Sequence, residues 1–288
     1  IVMDRAFFGV QLLNGLQYGL LLFLIASGLT LIFGIMGIIN LAHGAMYMIG
    51  AYLVWDLTTR LGNFWLAIAV AIPIAVALGL IIERLFLDTL YKRDHLYQVL
   101  LTFGLILVIN EAQRIIWGGD VHSVAIPAPF DASLQLTDNL QYSVYRLFVM
   151  GVCLALAGVI YWVIRHTRLG IIIRAGAVNR DMVEGLGINV RTLFTLIFSV
   201  GVALTAFAGM IAAPLTSITP GMGDSILITC FVVVVIGGIG SIKGAFWGAI
   251  LIGMAETFGS VLIPSIASMV IYLIMAAVLL VKPRGLFA

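Results

Sequence analysis

In a chain of 288 residues, 62% are hydrophobic, 10% are charged and the formal net charge is +2, with a mean hydropathy of +1.18. A water-soluble domain of this length covers itself with roughly 25% charged residues, so a soluble fold is excluded and most of the exterior has to meet lipid. Backbone groups in hydrocarbon must pair internally, which leaves helices or closed barrels. The apolar runs here are continuous and do not alternate as barrel strands would. They predict an all-α polytopic membrane bundle.

Apolar runs fall near 7–33, 45–59, 64–86, 96–117, 143–165, 192–213, 225–240, 245–262 and 266–282. At about 20 residues per crossing they predict eight or nine spans, with 45–59 and 225–240 short enough to be half-helices. Within the first run, Gly15-x-x-x-Gly19 offers a small-residue face for close helix packing. The run ends in GIMGIINLAHG, Gly34 to Gly44, where glycines and not charges interrupt the hydrophobic sequence.

The loop near 84–95 carries Arg84, Lys92 and Arg93. Glu111 and Arg114 lie three residues apart in the fourth run, a spacing that lets them pair on one helical face near its outer end. The stretch 118–142 holds Asp120, Asp131 and Asp138 without Lys or Arg, and Pro127 and Pro129 break any helix there. Between the fifth and sixth runs stand Arg165, Arg168, Arg174, Arg180 and Arg191, and the last run is followed by Lys282 and Arg284. Basic residues near span ends stay cytoplasmic, so these three clusters are predicted inside, 118–142 outside, and the start of the first run outside if that run crosses once.

Residues 166–191 form the longest basic connection. Asn179 is placed to cap a short helix, with Val178, Met182 and Leu186 on one face, Arg180, Asp181 and Glu184 elsewhere, and Gly185 and Gly187 to end it. Such a helix suits the groove of a cytoplasmic partner or an anionic lipid surface; spacing alone leaves both open.

The second glycine break reads GGIGSIKG, Gly237 to Gly244. Shifted by 203 positions it matches the first at Gly34/Gly237, Gly37/Gly240, Ile39/Ile242, Ala42/Ala245, Ile49/Ile252 and Gly50/Gly253, which suggests repeated halves, 1–140 and 141–288. Transporters are often built this way, with substrate sites where helices break; a half-helix N-terminus there can meet a carboxylate. Close packing explains the same glycines, since Gly240, Gly244 and Gly248 also make a small-residue face. Glu256, in the eighth run, has no local partner, and an intramembrane carboxylate is expensive unless it has a task. His43, at the first break, suits either a structural hydrogen bond or a substrate contact.

Other chemistries are not supported. No G-x-x-x-x-G-K-[ST] phosphate loop occurs, the four histidines are scattered with no metal-ligand spacing, and no cofactor is expected. Cys153 and Cys230 sit inside apolar runs and are expected to be unpaired. No basic tract with interleaved aromatics points to nucleic acid, and no cleavable leader is expected.

Four collinear stretches carry a family resemblance. GLTLIFGIMGIINLAHGAMYMIGAYL (28–53), RAGAVNRDMVEGLGIN (174–189), VVVVIGGIGSIKGAFWGAILIGMAE (232–256) and VLLVKPRGLF (278–287) resemble the H-type permease subunit of branched-chain amino-acid ATP-binding-cassette importers. The resemblance implies one permease domain over 1–288 in the bacterial inner membrane, with no enzymatic activity of its own. It implies a second related permease, two cytoplasmic ATPase subunits and a periplasmic substrate-binding protein as partners. It places ATPase coupling at 166–191, with Arg174, Ala175, Asn179, Met182, Glu184 and Gly187 at the contact. Asn40, Ala42, His43 and Gly44 would lie nearest the translocation path, joined there by Gly237, Gly240 and Glu256. Urea or short amides are the alternative cargo within the family. An ion-coupled secondary transporter is the alternative mechanism, but it would need more buried carboxylates than Glu256.

Overall fold

The computed structural model describes residues 5–88, 93–137 and 140–287; Lys92 and Asp138 lie outside the described residues. Helix α1 (Arg5–Leu31) runs on through a π-helical turn, Ile32–Met36, to Gly37 at φ 67°. The chain is not helical again until α2 (His43–Leu61). Gly62, also at φ 67°, stops α2, and Asn63 starts α3 (Phe64–Ile82) by accepting from the backbone N–H of Trp65 and Leu66 at 2.9 and 3.1 Å. A second π turn, Glu83–Leu87, follows, then α4 (His95–Trp117). The prolines keep the next segment irregular, apart from an antiparallel hairpin of β1 (Ser133–Thr137) and β2 (Leu140–Ser143) with Ser133 opposite Ser143.

Helix α5 (Val144–His166) leads into two short helices, α6 (Arg168–Val178) and α7 (Arg180–Gly185). Helix α8 (Val190–Ala212) then precedes α9 (Met222–Gly237), α10 (Ile242–Leu262), a 3-10 turn at Pro264–Ile266, and α11 (Ala267–Val281). Among the described residues six helices are long and apolar enough to cross a membrane, and α9 and α11 are shorter apolar helices. The all-α polytopic reading therefore holds, with the hairpin as the exception to it.

Helix α1 is the central post, with Leu20, Leu22, Leu24 and Ile25 fully buried. Lipid supplies no hydrophobic drive between helices, so association depends on close backbone approach, and the glycine faces provide it. A Cβ on Gly19 would meet Ala249 O and Ile250 Cα at 2.9 Å, and Gly15 rests on Met254. Gly50 and Gly209 bring α2 and α8 together, against the carbonyls of Ala206 and Tyr47, and Gly44 meets Gly223 at the start of α9.

Contacts sort the helix ends. Gly34 touches Gly240, Gly238 touches Gly285, and Ile35 lies 3.9 Å from where a Gly176 Cβ would stand. Arg191 pairs with Asp88. The described basic residues around 84–93, 165–191 and 282–284 thus gather at one end, as the charge pattern predicts for the cytoplasmic side. Arg5, the far end of α1, lies at the opposite, outer end, the side on which Tyr52, Trp55 and His122 cluster. There His122 stacks on Trp55 at 3.6 Å and bridges to Ile218.

The outward face of α4 corrects one expectation. Glu111 and Arg114 are both exposed and, among the described residues, form no ion pair with each other. Cys153 and Cys230 are free and buried.

Candidate functional site

Three places combine polar chemistry with unusual backbone. The first is the start of α2. The π turn and Gly37 end α1 at the basic end, and residues 38–42 lead back into the bundle, so α2 begins beside the middle of α1. Asn40, 1% exposed, accepts the Ala42 N–H on Oδ1 at 3.1 Å. The side chain of Thr102 on α4 donates to Ile39 O at 3.3 Å. His43 is fully buried, with Nε2 3.0 Å from Ile25 O and 2.7 Å from the Thr205 hydroxyl. A carbonyl only accepts, so Nε2 carries the hydrogen. Thr205, which itself donates to Gly201 O at 2.9 Å, accepts from it. The imidazole thereby pins α2 to both α1 and α8, which is the structural one of its two readings. Asn40 Nδ2 and His43 Nδ1 have no hydrogen-bond partner among the described residues.

The second place is a cavity of about 470 Å³ in the outer half of the bundle. Helix α1 lines it with Gln11, Asn14, Gln17 and Tyr18, a polar stripe in an otherwise apolar helix. Arg146 enters from α5 and Glu256 from α10. The Arg146 guanidinium donates through Nη1 to Asn14 Oδ1 at 3.4 Å and Gln17 Oε1 at 3.2 Å. Tyr18 and Glu256 are neighbours in this lining, and the Glu256 Oε2 is buried without a partner among the described residues. Leu21, Leu215, Met222 and Ile226, with Tyr47, Ala212 and Thr257, complete the wall, while Thr216, Ser225 and Ser260 at the rim are exposed. A larger cleft, about 980 Å³ between α3, α5 and α8, is walled by Ile72, Val76, Leu196 and Val200. Arg84, Arg191, Thr192, Thr195 and Ser199 add polar groups to its lining.

The third place is the elbow at the basic end. Thr167 caps α6 by accepting from Gly170 N at 3.2 Å, and Asn179 caps α7 by accepting from Met182 N at 3.0 Å. Asn179 also closes α6, so the predicted single helix is two, and Val178 stands on the first while Met182 lies on the second. Their exposure survives the split: Val178 is 89% exposed, Met182 67% and Leu186 74%. Val183 alone of the α7 apolar residues is buried, at 2%. Gly187, at φ 84°, turns the chain toward α8 as the glycine spacing predicts. Ala175 and Glu184 are exposed, while Arg174 donates to Ile164 O and so satisfies the end of α5. The Gly170/Ile173/Gly176 face of α6 packs inward, and Gly176 sits against Ile35 in the π turn that precedes the first glycine break.

The residues expected to line one path therefore divide. Glu256 stands in the outer cavity; Asn40, Ala42, His43 and Gly44 form the buried start of α2; Gly237 ends α9 and Gly240 lies in the turn to α10, both at the basic end. Arg146, Gln17 and Tyr18 escaped the sequence reading. Their signal was the spacing of Gln11, Asn14 and Tyr18 on one face of the first run. Glu83 also escaped it. This acid opens the π turn after α3, is fully buried and accepts from Thr195 Oγ1 at 2.8 Å.

The family described as "Branched-chain amino acid transport system / permease component" matches residues 11–279. The high-affinity branched-chain amino acid transport system permease protein BraD of Pseudomonas aeruginosa is 33% identical, over 96% of this chain and 94% of that protein. LivH of Escherichia coli, described in the same words, is 31% identical over 97% of this chain and 95% of that protein. Among solved structures, PsaBC from Streptococcus pneumoniae in complex with Fab is similar at TM-score 0.48 and 14% identity, over 93% of this chain and 89% of that one. With the family matched over nearly the whole chain and relatives above 30% identity at full length, this protein belongs to the branched-chain amino acid transport system permease family.

Proposed function

We propose that this chain is the permease subunit of an ATP-binding-cassette importer in the bacterial inner membrane, passing branched-chain or other hydrophobic amino acids from periplasm to cytoplasm. The observation that carries the reading is the elbow: three large apolar side chains, Val178, Met182 and Leu186, stand exposed at the basic end. An apolar row held clear of the bundle leaves a contact unmade, and a groove on a separate ATPase completes it. The chain has no nucleotide motif of its own, so force has to enter from a partner.

Arg174, Ala175, Asn179, Met182, Glu184 and Gly187 form or shape this surface. Motion of α7 passes through α6 to Ile35, the π turn and residues 37–42, and so to Asn40, Ala42, His43 and Gly44 at the start of α2. Gly237 and Gly240 give the adjoining α9–α10 turn its close packing, and Glu256 serves the outer part of the path. The whole of 1–288 acts as one permease domain with eight or nine crossings. Gly37 and Gly240, matched at the 203-residue shift, both adopt positive φ, at 67° and 79°, which supports a repeat relating 1–140 to 141–288. The working importer then contains a second related permease, two ATPase subunits and a periplasmic binding protein.

Co-purification tests this. The wild-type chain should retain its ATPase partner in detergent, and Glu184→Arg or deletion of 179–187 should release it. Undiminished docking and transport in both variants would sink the coupling role.

A further inference from the structure

The outer cavity carries two opposite charges that a passive conduit does not need. Arg146 and Glu256 come from different helices, α5 and α10. They do not pair with each other, since the ion pairs among the described residues are Arg60–Asp56 and Arg191–Asp88. Each instead faces neutral groups from α1: Asn14 and Gln17 accept from Arg146, and Tyr18 lies beside Glu256. Neutral partners orient a charge without cancelling it. Nη1 makes both bonds of Arg146, so the rest of its planar fork of donors is open to a carboxylate. Glu256 Oε2 is buried with no partner among the described residues, and it is an acceptor awaiting a cation.

We propose that this cavity is a transient recognition site for a free α-amino acid, in which Arg146 takes the carboxylate, Glu256 with Tyr18 takes the ammonium, and Leu21, Leu215 and Ile226 face the side chain. The inference rests on the permease reading above and adds the residues that read the cargo. A zwitterion answers both charges at once and leaves no net charge in the bundle. An acid or an amine alone leaves one pole exposed to the cost of burying an uncompensated charge. A neutral amide such as urea answers neither. At about 470 Å³ the cavity lies within the ordinary range of small-molecule sites. The apolar part of its lining, Leu21, Leu215, Met222 and Ile226, offers aliphatic side chains no hydrogen bond to tell them apart, so the site reads the common α-carbon groups and leaves side-chain choice to other components.

The test uses the assembled importer in lipid nanodiscs without nucleotide or binding protein, read by saturation-transfer difference NMR. The probes are leucine, 4-methylpentanoate (no ammonium), 3-methylbutylamine (no carboxylate) and urea. In the wild type, leucine should bind more tightly than either half-ligand, and urea should give no signal. Arg146→Gln should weaken 4-methylpentanoate by roughly 30-fold and spare 3-methylbutylamine; Glu256→Gln should do the reverse. Where a Gln variant does not assemble, Arg146→Lys and Glu256→Asp replace it, with the same crossed pattern on a smaller scale. A merely structural role would weaken all ligands in parallel. A parallel loss, an absence of effect, or no binding of leucine to the wild type overturns the proposal. ATP-driven uptake by the same wild-type importer, reconstituted into proteoliposomes with its binding protein, is scored separately. Its absence contradicts the permease reading, while its presence with uncrossed binding contradicts only the cavity assignment.

Discussion

The two ends of this molecule break the same rule in opposite directions. At the outer end, ionisable and amide side chains (Arg146, Gln17, Glu256) are drawn into a bundle that should be apolar. At the inner end, apolar side chains (Val178, Met182, Leu186) stand out where polar ones belong. Each arrangement is expensive by itself: a charge in the membrane interior costs several kcal/mol, and an exposed apolar row forfeits about 25 cal/mol for each Å² left in water. Neither makes the bundle more stable. On the reading proposed above, both are surfaces completed from outside the chain, by a solute at one end and by a protein at the other, and the glycine-packed helices between them are the part that folding alone explains.

That division predicts a graded set of effects. The largest belongs to the packed middle: Gly50→Leu, which would drive a side chain into the Ala206 carbonyl, should exceed the ~1–3 kcal/mol of ordinary overpacking and abolish the folded peak in detergent size-exclusion chromatography. Next, Met182→Asp with Leu186→Asp should leave that peak intact while weakening ATPase affinity by about 2 kcal/mol or more, the scale of an interface hot spot. Loss of the folded peak in this variant would place the elbow in the fold and erase the contrast. Asn179→Ala removes the cap that α7 receives at 3.0 Å. It should cost about 1 kcal/mol, visible as faster hydrogen exchange over 180–185 and little change elsewhere. Smallest is Arg60→Ala, which breaks an exposed i,i+4 pair with Asp56 and should move the melting temperature by an amount equivalent to less than about 0.5 kcal/mol.

Much of this was legible in the sequence because its signals are local. Apolar runs marked the helices to within a few residues, Asn179 and Gly187 marked both ends of α7, and arginine clusters sorted the helix ends. Small-residue spacing marked the α1–α10 and α9–α10 contacts. What escaped depends on partners far apart in the chain. Glu256 read as solitary because its neighbour Tyr18 comes from across the bundle, and His43 kept two readings until Thr205, 162 residues away, appeared beside it. The two glycine breaks show the same limit. They match in residues and in left-handed glycines, yet one is followed by a non-helical stretch into the bundle and the other turns straight into α10. Nothing local distinguishes them; the packing of His43 against Ile25 does. Glu111 and Arg114 erred the other way, since their spacing allows a pair while the exposed face of α4 leaves both groups free to take separate rotamers.

The central claim is that this chain moves an amino acid with force supplied from outside it. The direct measurement is uptake of labelled leucine and labelled urea into proteoliposomes holding this chain with its companion permease, ATPase subunits and binding protein, with and without ATP. Leucine accumulation that requires ATP and the intact elbow, with urea excluded, is the predicted result. Leucine entry driven by an ion gradient without ATPase subunits, or ATP-driven entry of urea in place of leucine, would contradict it.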